Sequence, residues 1–354
     1  MKENKKVLLG MSGGVDSSVA AILLKEKGYE VIGVTMILWN NKNSKDSIED
    51  AKKVCNMLGI KHYTINLEKE FKTKVVDDFI EKYLDAKTPN PCIECNKYLK
   101  FGTMYEEAKR LGIDYIATGH YARVEFSKEY GRYVLKKSSA KSKDQSYVLY
   151  NIKKEILGHV IFPLESFESK EKIRQIAKEH GLEVANKKDS VDICFIPDND
   201  YIKFLKENIK EKQKLIKSGN IVDVNKNIRG KHTGLVNYTI GQRKGLGIQN
   251  EKPLYVIKLD KEKNQVVVGE KESTYSKEAY INDVNLLLYD KIDEKIRVKA
   301  KIRYAAKEAD ATVYATKDEN VLRVVFDIPQ MAITPGQAIV FYVDDIVVGG
   351  GKIM

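Results

Sequence analysis

The run Gly10-Met11-Ser12-Gly13-Gly14-Val15-Asp16-Ser17-Ser18 directly follows the apolar triplet Val7-Leu8-Leu9. This order predicts a buried strand, a tight loop, and a helix from about Asp16 to Lys27. Glycines let backbone N–H groups close around an anion, and a helix N-terminus adds partial positive charge and unpaired donors. Ser12, Ser17 and Ser18 contribute hydroxyls. The segment is therefore suited to phosphate. It is not a Walker loop, which ends in Gly-Lys-Ser/Thr, because no lysine occurs between Gly10 and Ser18. An ordinary strand–helix turn that happens to carry glycines does not account for Asp16 and the serines at these spacings.

Ser-Gly-Gly-x-Asp-Ser at 12–17 resembles the pyrophosphate (PP) loop of ATP pyrophosphatases. That resemblance implies cleavage of ATP to AMP and pyrophosphate, which adenylates an oxygen that must later leave.

The chain of 354 residues is long enough for two or three cores. No apolar run approaches the roughly 20 residues needed to span a bilayer. Met1 to Lys6 leads straight into the first strand without the pattern of a signal peptide, so a cytoplasmic protein with no membrane partner is expected. The net charge of +11 points to a polyanionic partner, although a lysine-rich proteome produces the same excess.

To about Thr118, strand and helix patterns alternate. Strands are predicted at Val7–Leu9, Val31–Thr35, Tyr63–Ile65 and Tyr115–Thr118, with helices at about Asp16–Lys27, Ser47–Leu58, Glu68–Leu84 and Phe101–Leu111. This is the pattern of an α/β, doubly wound parallel sheet, in which ligands bind beyond the carboxyl ends of the strands. The glycine loop, Met36 and Gly119-His120 all fall at that edge, and an adenine ring fits against Met36. Helices are also predicted at Lys170–His180 and Asp200–Ile209. From Gly219 short strands surround a glycine-rich segment (Val222–Val224, Leu254–Leu259, Gln265–Val268). After Tyr280 all signals are β, at Val284–Leu288, Ile296–Arg303, Ala311–Ala315, Val321–Phe326 and Ala338–Val343, as in a small barrel or sandwich. The expected division is 1–208 for the nucleotide-binding domain, 209–275 for a small central domain and 276–354 for a β-barrel.

Four cysteines are present: Cys55, Cys92, Cys95 and Cys194. Cys55 falls in a helical stretch and reads as a small buried hydrophobe. In Thr88-Pro89-Asn90-Pro91-Cys92-Ile93-Glu94-Cys95-Asn96 the prolines stop any continuing helix and predict a rigid loop. C-x-x-C alone is compatible with half a zinc site, a redox pair or iron–sulfur ligands. No second C-x-x-C or H-x-x-x-H completes a zinc site, and Cys194 is the third thiol available. On local sequence Cys194, between Ile193 and Phe195, reads as a core residue.

Across the chain the motifs resemble the MnmA family of bacterial tRNA-specific 2-thiouridylases. They are the loop at 10–18, Thr-Pro-Asn-Pro…Cys-Asn at 88–96, Ala-Thr-Gly-His-Tyr-Ala-Arg at 117–123 and Lys-Asp-Gln-Ser-Tyr at 143–147. Asp-Ile-Cys-Phe-Ile at 192–196, Tyr-Thr-Ile-Gly-Gln-Arg-Lys-Gly-Leu-Gly-Ile at 238–248 and Pro-Gly-Gln-Ala at 335–338 follow in the family's order. The resemblance implies that ATP, with Mg2+, adenylates O2 of the wobble uridine and that sulfur then displaces AMP. It implies a tRNA-binding barrel, tRNAs for Lys, Glu and Gln as acceptors, and a cysteine desulfurase or relay protein as upstream sulfur donor. By position it makes Cys95 the nucleophile and Cys194 the persulfide carrier. ATP contacts fall on Gly10, Met11, Ser12, Gly13, Gly14, Val15, Asp16, Ser17, Met36 and Gly119, with Asp16 a candidate magnesium ligand. tRNA contacts fall on His120, Lys143, Asp144, Gln145, Arg303, Tyr304 and Gln337, of which Lys143 and Arg303 suit phosphate.

The chain departs from the family in one place. Many members carry Asp three residues before the nucleophile, where this chain has Cys92. Cys92, Cys95 and Cys194 are then candidate ligands of a 4Fe–4S cluster with one iron open for sulfide. The reading leans toward that cluster over a persulfide pair, with zinc on the same thiols as a lesser option. Other classes remain: another ATP pyrophosphatase such as an amide or argininosuccinate-type ligase, a non-catalytic nucleotide-binding module, and an RNA-binding protein with a vestigial loop.

Overall fold

A computed structural model describes residues 5–39, 42–140, 142–187, 193–196, 200–209 and 216–354. Asp192, the first residue of the 192–196 motif, lies outside the described residues. Val7, Leu8 and Leu9 are wholly buried, as a strand covered by helices on both faces must be. They form β1 (Lys6–Gly10), which pairs in parallel with β2 (Glu30–Ile37) on one side and β4 (Tyr115–Ala117) on the other. With β3 (Lys61–Asn66) and β7 (Val160–Ile161), the parallel sheet has the order β3-β2-β1-β4-β7. The order reverses at β1, which opens a crevice between the carboxyl ends of β1 and β4. The glycine loop leaves β1 there and Gly119 leaves β4 there, so topology alone makes them neighbours.

The helix Val15–Glu26 buries Val15, Val19, Ala20, Ala21, Ile22 and Leu24 against the sheet. The predicted helix at 68–84 forms, with an i→i+5 stretch at Lys72–Val76 in its middle. The segment 88–96 is not the loop that its prolines predict. Asn90 accepts a hydrogen bond from the Cys92 N–H at 3.2 Å and caps a helix that starts with Pro91 in its first turn. Proline costs nothing there, because that N–H has no helical partner in any case. The helix runs from Pro91–Cys95 through an i→i+5 stretch, Asn96–Thr103, into Met104–Arg110. C-x-x-C is thus the first turn of a helix.

A hairpin that the pattern does not announce, β5 (Ala122–Ser127) and β6 (Arg132–Lys137), follows the nucleotide edge. The central strands β8 (Gly219–Asp223), β9 (Ile228–His232), β10 (Tyr255–Asp260) and β11 (Gln265–Gly269) form a sheet over Ile221, Val256, Val266 and Val268. The remaining strands are β12 (Tyr275–Leu286), β13 (Lys295–Lys301), β14 (Ala309–Ala315), β15 (Leu322–Met331), β16 (Ala338–Val343) and β17 (Ile346–Ile353). They run in the order β12-β15-β14-β13-β16-β17, and β12 pairs with β17, so the sheet closes. The barrel, not the sandwich, is the architecture. β6 continues this sheet from β17, which joins the first domain to the barrel.

Candidate functional site

Gly13 has a φ of 67°, and a Cβ there would stand 2.3 Å from the Ser47 carbonyl oxygen, so only glycine fits this turn. The next residue, Gly14, is the N-cap of Val15–Glu26 and supplies no side-chain acceptor to its first N–H groups. Ser17 Oγ accepts from the Ser12 N–H at 3.2 Å and donates to the Gly14 carbonyl at 3.1 Å, which folds the loop over the helix start. Below it, Thr35 Oγ1 donates to the Met11 carbonyl at 2.8 Å and His62 Nε2 meets the same hydroxyl at 2.8 Å. The Met11 and Val15 side chains are buried in the core, so only their backbone faces the crevice. Met36 is half-buried at the carboxyl end of β2. A Cβ on Gly119 would meet Asp16 C and Ser17 N at 2.9 Å, so the β4 edge closes on the loop only because residue 119 is glycine.

Both Asp16 carboxylate oxygens already accept a donor. Tyr121 Oη lies at 2.8 Å from Oδ1, and Lys170 Nζ at 2.5 Å from Oδ2. Lys187 Nζ donates to the Gly13 carbonyl at 3.1 Å and pairs with Asp50 at 2.8 Å. Neither lysine is signalled by the loop's own sequence.

The thiols lie on two elements. Cys92 is exposed at the start of its helix, while Cys95 is buried in a cluster with Phe71, Phe79, Phe195 and Phe204. Phe195 packs edge-on against Phe79 at 5.4 Å and anchors the turn that carries Cys194. Cys194 is itself exposed, unlike the core residue its apolar flanks predict. Burial pushes the Cys95 thiol up to about 12, with Lys100 acting in the opposite direction. Lys100 follows Cys95 by five residues, and the i→i+5 stretch brings such a residue back over its partner. Burial opposes the Lys100 charge, but Cys95, Cys92 and Cys194 outweigh it and hold the ammonium above its ordinary value. His120 completes the bridge to the nucleotide edge. Burial first, then Lys100, holds its imidazole well below the ordinary value, so it is neutral. Among the described residues, no three His, Cys, Asp or Glu side chains are gathered as a metal site. Cys55 is wholly buried, and burial raises its thiol to about 11.

Most of the candidate RNA-contact residues come together from two domains. Lys143 is exposed on a loop held by Asp144, whose Oδ1 accepts the Ser138 and Ser146 N–H groups at 3.0 and 3.2 Å. Gln145 Oε1 accepts the Tyr121 N–H at 2.9 Å. Tyr304, next to exposed Arg303 beyond β13, donates to the Asp144 carbonyl at 3.3 Å. Burial, then Asp144 and Cys92, raise the Tyr304 phenol above its ordinary value. His120 and Gln337 have other partners. The His120 ring sits between Phe101 and Phe162, at 5.9 and 6.3 Å, and its Nδ1 meets Thr118 Oγ1 at 2.8 Å. Gln337 Nε2 donates to the Thr88 carbonyl at 2.9 Å, and Thr88 N–H to the Pro335 carbonyl at 2.8 Å.

Residues 5–198 match the family described as tRNA methyl transferase HUP domain, residues 202–270 its PRC-barrel domain, and residues 276–353 an aminomethyltransferase beta-barrel domain. The tRNA-specific 2-thiouridylase MnmA of Acetivibrio thermocellus is 52% identical over 360 residues, covering 99% of this chain and 99% of that protein. The Clostridioides difficile protein of the same name is 50% identical over 359 residues, covering 99% and 98%. A solved structure, the U34-tRNA thiolase NcsA from Methanococcus maripaludis with its [4Fe-4S] cluster, is similar at 19% identity and a TM-score of 0.34, over 60% of this chain and 67% of that one. With half of its residues identical to these thiouridylases along its whole length, the chain belongs to the MnmA family of tRNA-specific 2-thiouridylases.

Proposed function

We propose that this protein uses ATP to replace O2 of the wobble uridine, position 34 of tRNA, by sulfur. One observation carries the reading: Gly119 closes on Asp16 and Ser17 of the phosphate loop, the next residue, His120, packs on Phe101 of the helix that begins with the cysteines, and Tyr304 of the barrel donates to the Asp144 carbonyl. A phosphate loop and neighbouring thiols serve adenylation and sulfur transfer; they have no evident use in methyl transfer. We assign 1–208 to nucleotide binding and catalysis, 209–275 to a central domain and 276–354 to tRNA binding. The protein acts in the cytoplasm, on tRNAs for Lys, Glu and Gln, with sulfur from a cysteine desulfurase or relay protein. Among the described residues no helix is long and apolar enough to cross a membrane.

The chemistry follows from the weakness of the uracil C2 carbonyl as an electrophile. Its oxygen attacks the α-phosphorus of ATP and pyrophosphate leaves, which turns O2 into a leaving group. Asp16, which accepts from Tyr121 and Lys170, is the residue that would stand beside a magnesium ion arriving with ATP, and the ion would supply charge neutralisation of the phosphates. The terminal sulfur of a Cys194 persulfide then attacks C2 and AMP departs. Cys95 attacks the Cys194 sulfur, which breaks the S–S bond to the transferred atom, leaves 2-thiouridine and forms a Cys95–Cys194 disulfide. A thiol reductant returns both cysteines for the next turnover. Lys100 stabilises the anionic sulfur through these steps.

A 4Fe–4S cluster is the second reading, favoured by the shared surroundings of Cys92, Cys95 and Cys194. The donor types fit such a cluster, and Cys92, Cys95 and Cys194 would hold it, but among the described residues no three such side chains are gathered as a metal site, so the sulfur steps are assigned to the cysteines. The deciding experiment incubates unmodified tRNA, ATP and a persulfide donor with the protein and analyses nucleosides by mass spectrometry. The proposal expects 2-thiouridine at position 34 with AMP and pyrophosphate. AMP without tRNA-dependent thiolation would point to a ligase, and intact ATP to a binding module.

A further inference from the structure

The phosphate loop contains no lysine, yet its ligand is polyanionic and the loop itself carries the carboxylate of Asp16. A bare carboxylate beside a triphosphate repels it. The tertiary structure supplies the missing cations from a distant segment. Lys170 begins the helix Lys170–Glu179 and reaches Asp16 Oδ2, while Lys187, just past the turn Glu183–Asn186, reaches the Gly13 carbonyl. One side chain holds the two together: Arg174, on the same helix, donates to the Ala185 carbonyl at 2.5 Å and to the Lys187 carbonyl at 2.9 Å. Ile173 and Ala177 seat the helix in the same core as Val19 and Ala20 of the loop's own helix. The Lys170–Lys187 segment is therefore a brace along the flank of the loop.

We propose that Lys170 and Lys187 form the cationic half of the ATP phosphate site. The inference rests on the nucleotide part of the function proposed above. An ammonium has three donors, so Lys170 can hold Asp16 and a phosphate oxygen together. When the α–β phosphate bond breaks, charge moves onto the departing pyrophosphate, and fixed cations stabilise it there. This gives the loop what a Walker loop carries in its own sequence.

Equilibrium binding of ATP and of adenosine to the whole protein, by titration calorimetry, tests this. Lys170→Met weakens ATP binding about tenfold or more, as expected for loss of a charged hydrogen bond, and leaves adenosine binding within about twofold. Lys187→Met acts in the same direction, and Lys170→Arg restores most of the ATP affinity. The same Lys170→Met change in an Asp16→Asn background separates phosphate contact from simple neutralisation of Asp16. The proposal expects the loss to persist there. A loss that vanishes in that background, or that is equal for ATP and adenosine, overturns it. If Lys170→Met does not fold, Lys187→Met and Lys170→Arg carry the comparison. If the unaltered protein binds neither ligand, the nucleotide reading itself has failed.

Discussion

Lys352 on β17 holds the buried carboxylate of Glu94, one of the two residues between the helix cysteines, at 2.7 Å. The same ammonium pairs with Asp283 at 2.7 Å, and Asp283 with Lys97 at 3.2 Å. Burial opposes the Lys352 charge, but Glu94 and Asp283 prevail and raise it above the ordinary lysine value. With Gln337 on Thr88, this network fixes the cysteine helix to the barrel.

Lys352→Met leaves Glu94 buried with Lys82, 3.9 Å away, as its remaining cation. Stability falls by about 3 kcal/mol, as for other half-broken buried pairs, and sulfur transfer slows. Urea unfolding measures the first effect. A change below about 0.5 kcal/mol, the range of neutral surface substitutions, means that the network does not fasten the helix.

Asp16→Ala abolishes adenylation, measured as pyrophosphate release, while tRNA affinity stays nearly intact. Gly119→Ala acts on the same step, because its methyl group meets the Asp16–Ser17 backbone at 2.9 Å. Equal loss of tRNA binding in either variant contradicts separate nucleotide and RNA surfaces.

Cys95→Ser and Cys194→Ser each eliminate thiolation yet consume ATP slowly with tRNA, so AMP appears without 2-thiouridine. Full thiolation by either variant removes its assigned role.

The thiol of Cys95, held up to about 12 by burial, stays protonated at neutral pH. Its alkylation in the resting protein therefore rises with pH, about tenfold per unit, and does not level off below about pH 11. The linked stability runs in the opposite direction. It is complete below the unfolded thiol value near 8.5 and declines as pH rises toward the folded one. Peptide mapping of iodoacetamide-treated protein follows the reaction, and a plateau near neutral pH contradicts the burial argument.

Iron and sulfide analysis of anaerobically purified protein decides between the two sulfur sources. The persulfide chemistry expects active, colourless protein without iron, and Cys92→Asp with activity largely unchanged. Brown protein whose activity follows its iron content, and a Cys92→Asp variant that loses both, establish the cluster instead.

Local pattern was enough for the parallel sheet, the phosphate loop and the switch-point edge. Each rests on contiguous residues: the apolar triplet at 7–9, the glycines that follow it, and an alternation that a doubly wound sheet satisfies. The same logic failed where one residue has two meanings. Pro91 breaks a helix from within but starts one from its first turn, and capping by Asn90 decides which. The β9 stretch Ile-Arg-Gly-Lys-His has too little apolar signal to announce a strand, and β17 hides behind the glycines at 349–351. One of these, Gly349, would meet the Asn285 carbonyl at 2.3 Å with a Cβ, so the close approach of β12 selects it.

The sequence by itself determined the residue types that phosphate and sulfur chemistry need, because those motifs are short and local. Only the tertiary structure decided their partners. Lys170 for Asp16, Lys100 among the thiols, Lys352 for Glu94 and Gln337 for Thr88 are long-range pairings, apart from the one-turn step from Cys95 to Lys100. A lysine in a lysine-rich chain carries no mark of its partner. Charge pairing depends on distance in space, which the closing of the barrel and the packing of the Lys170–Glu179 helix impose after the local elements have formed.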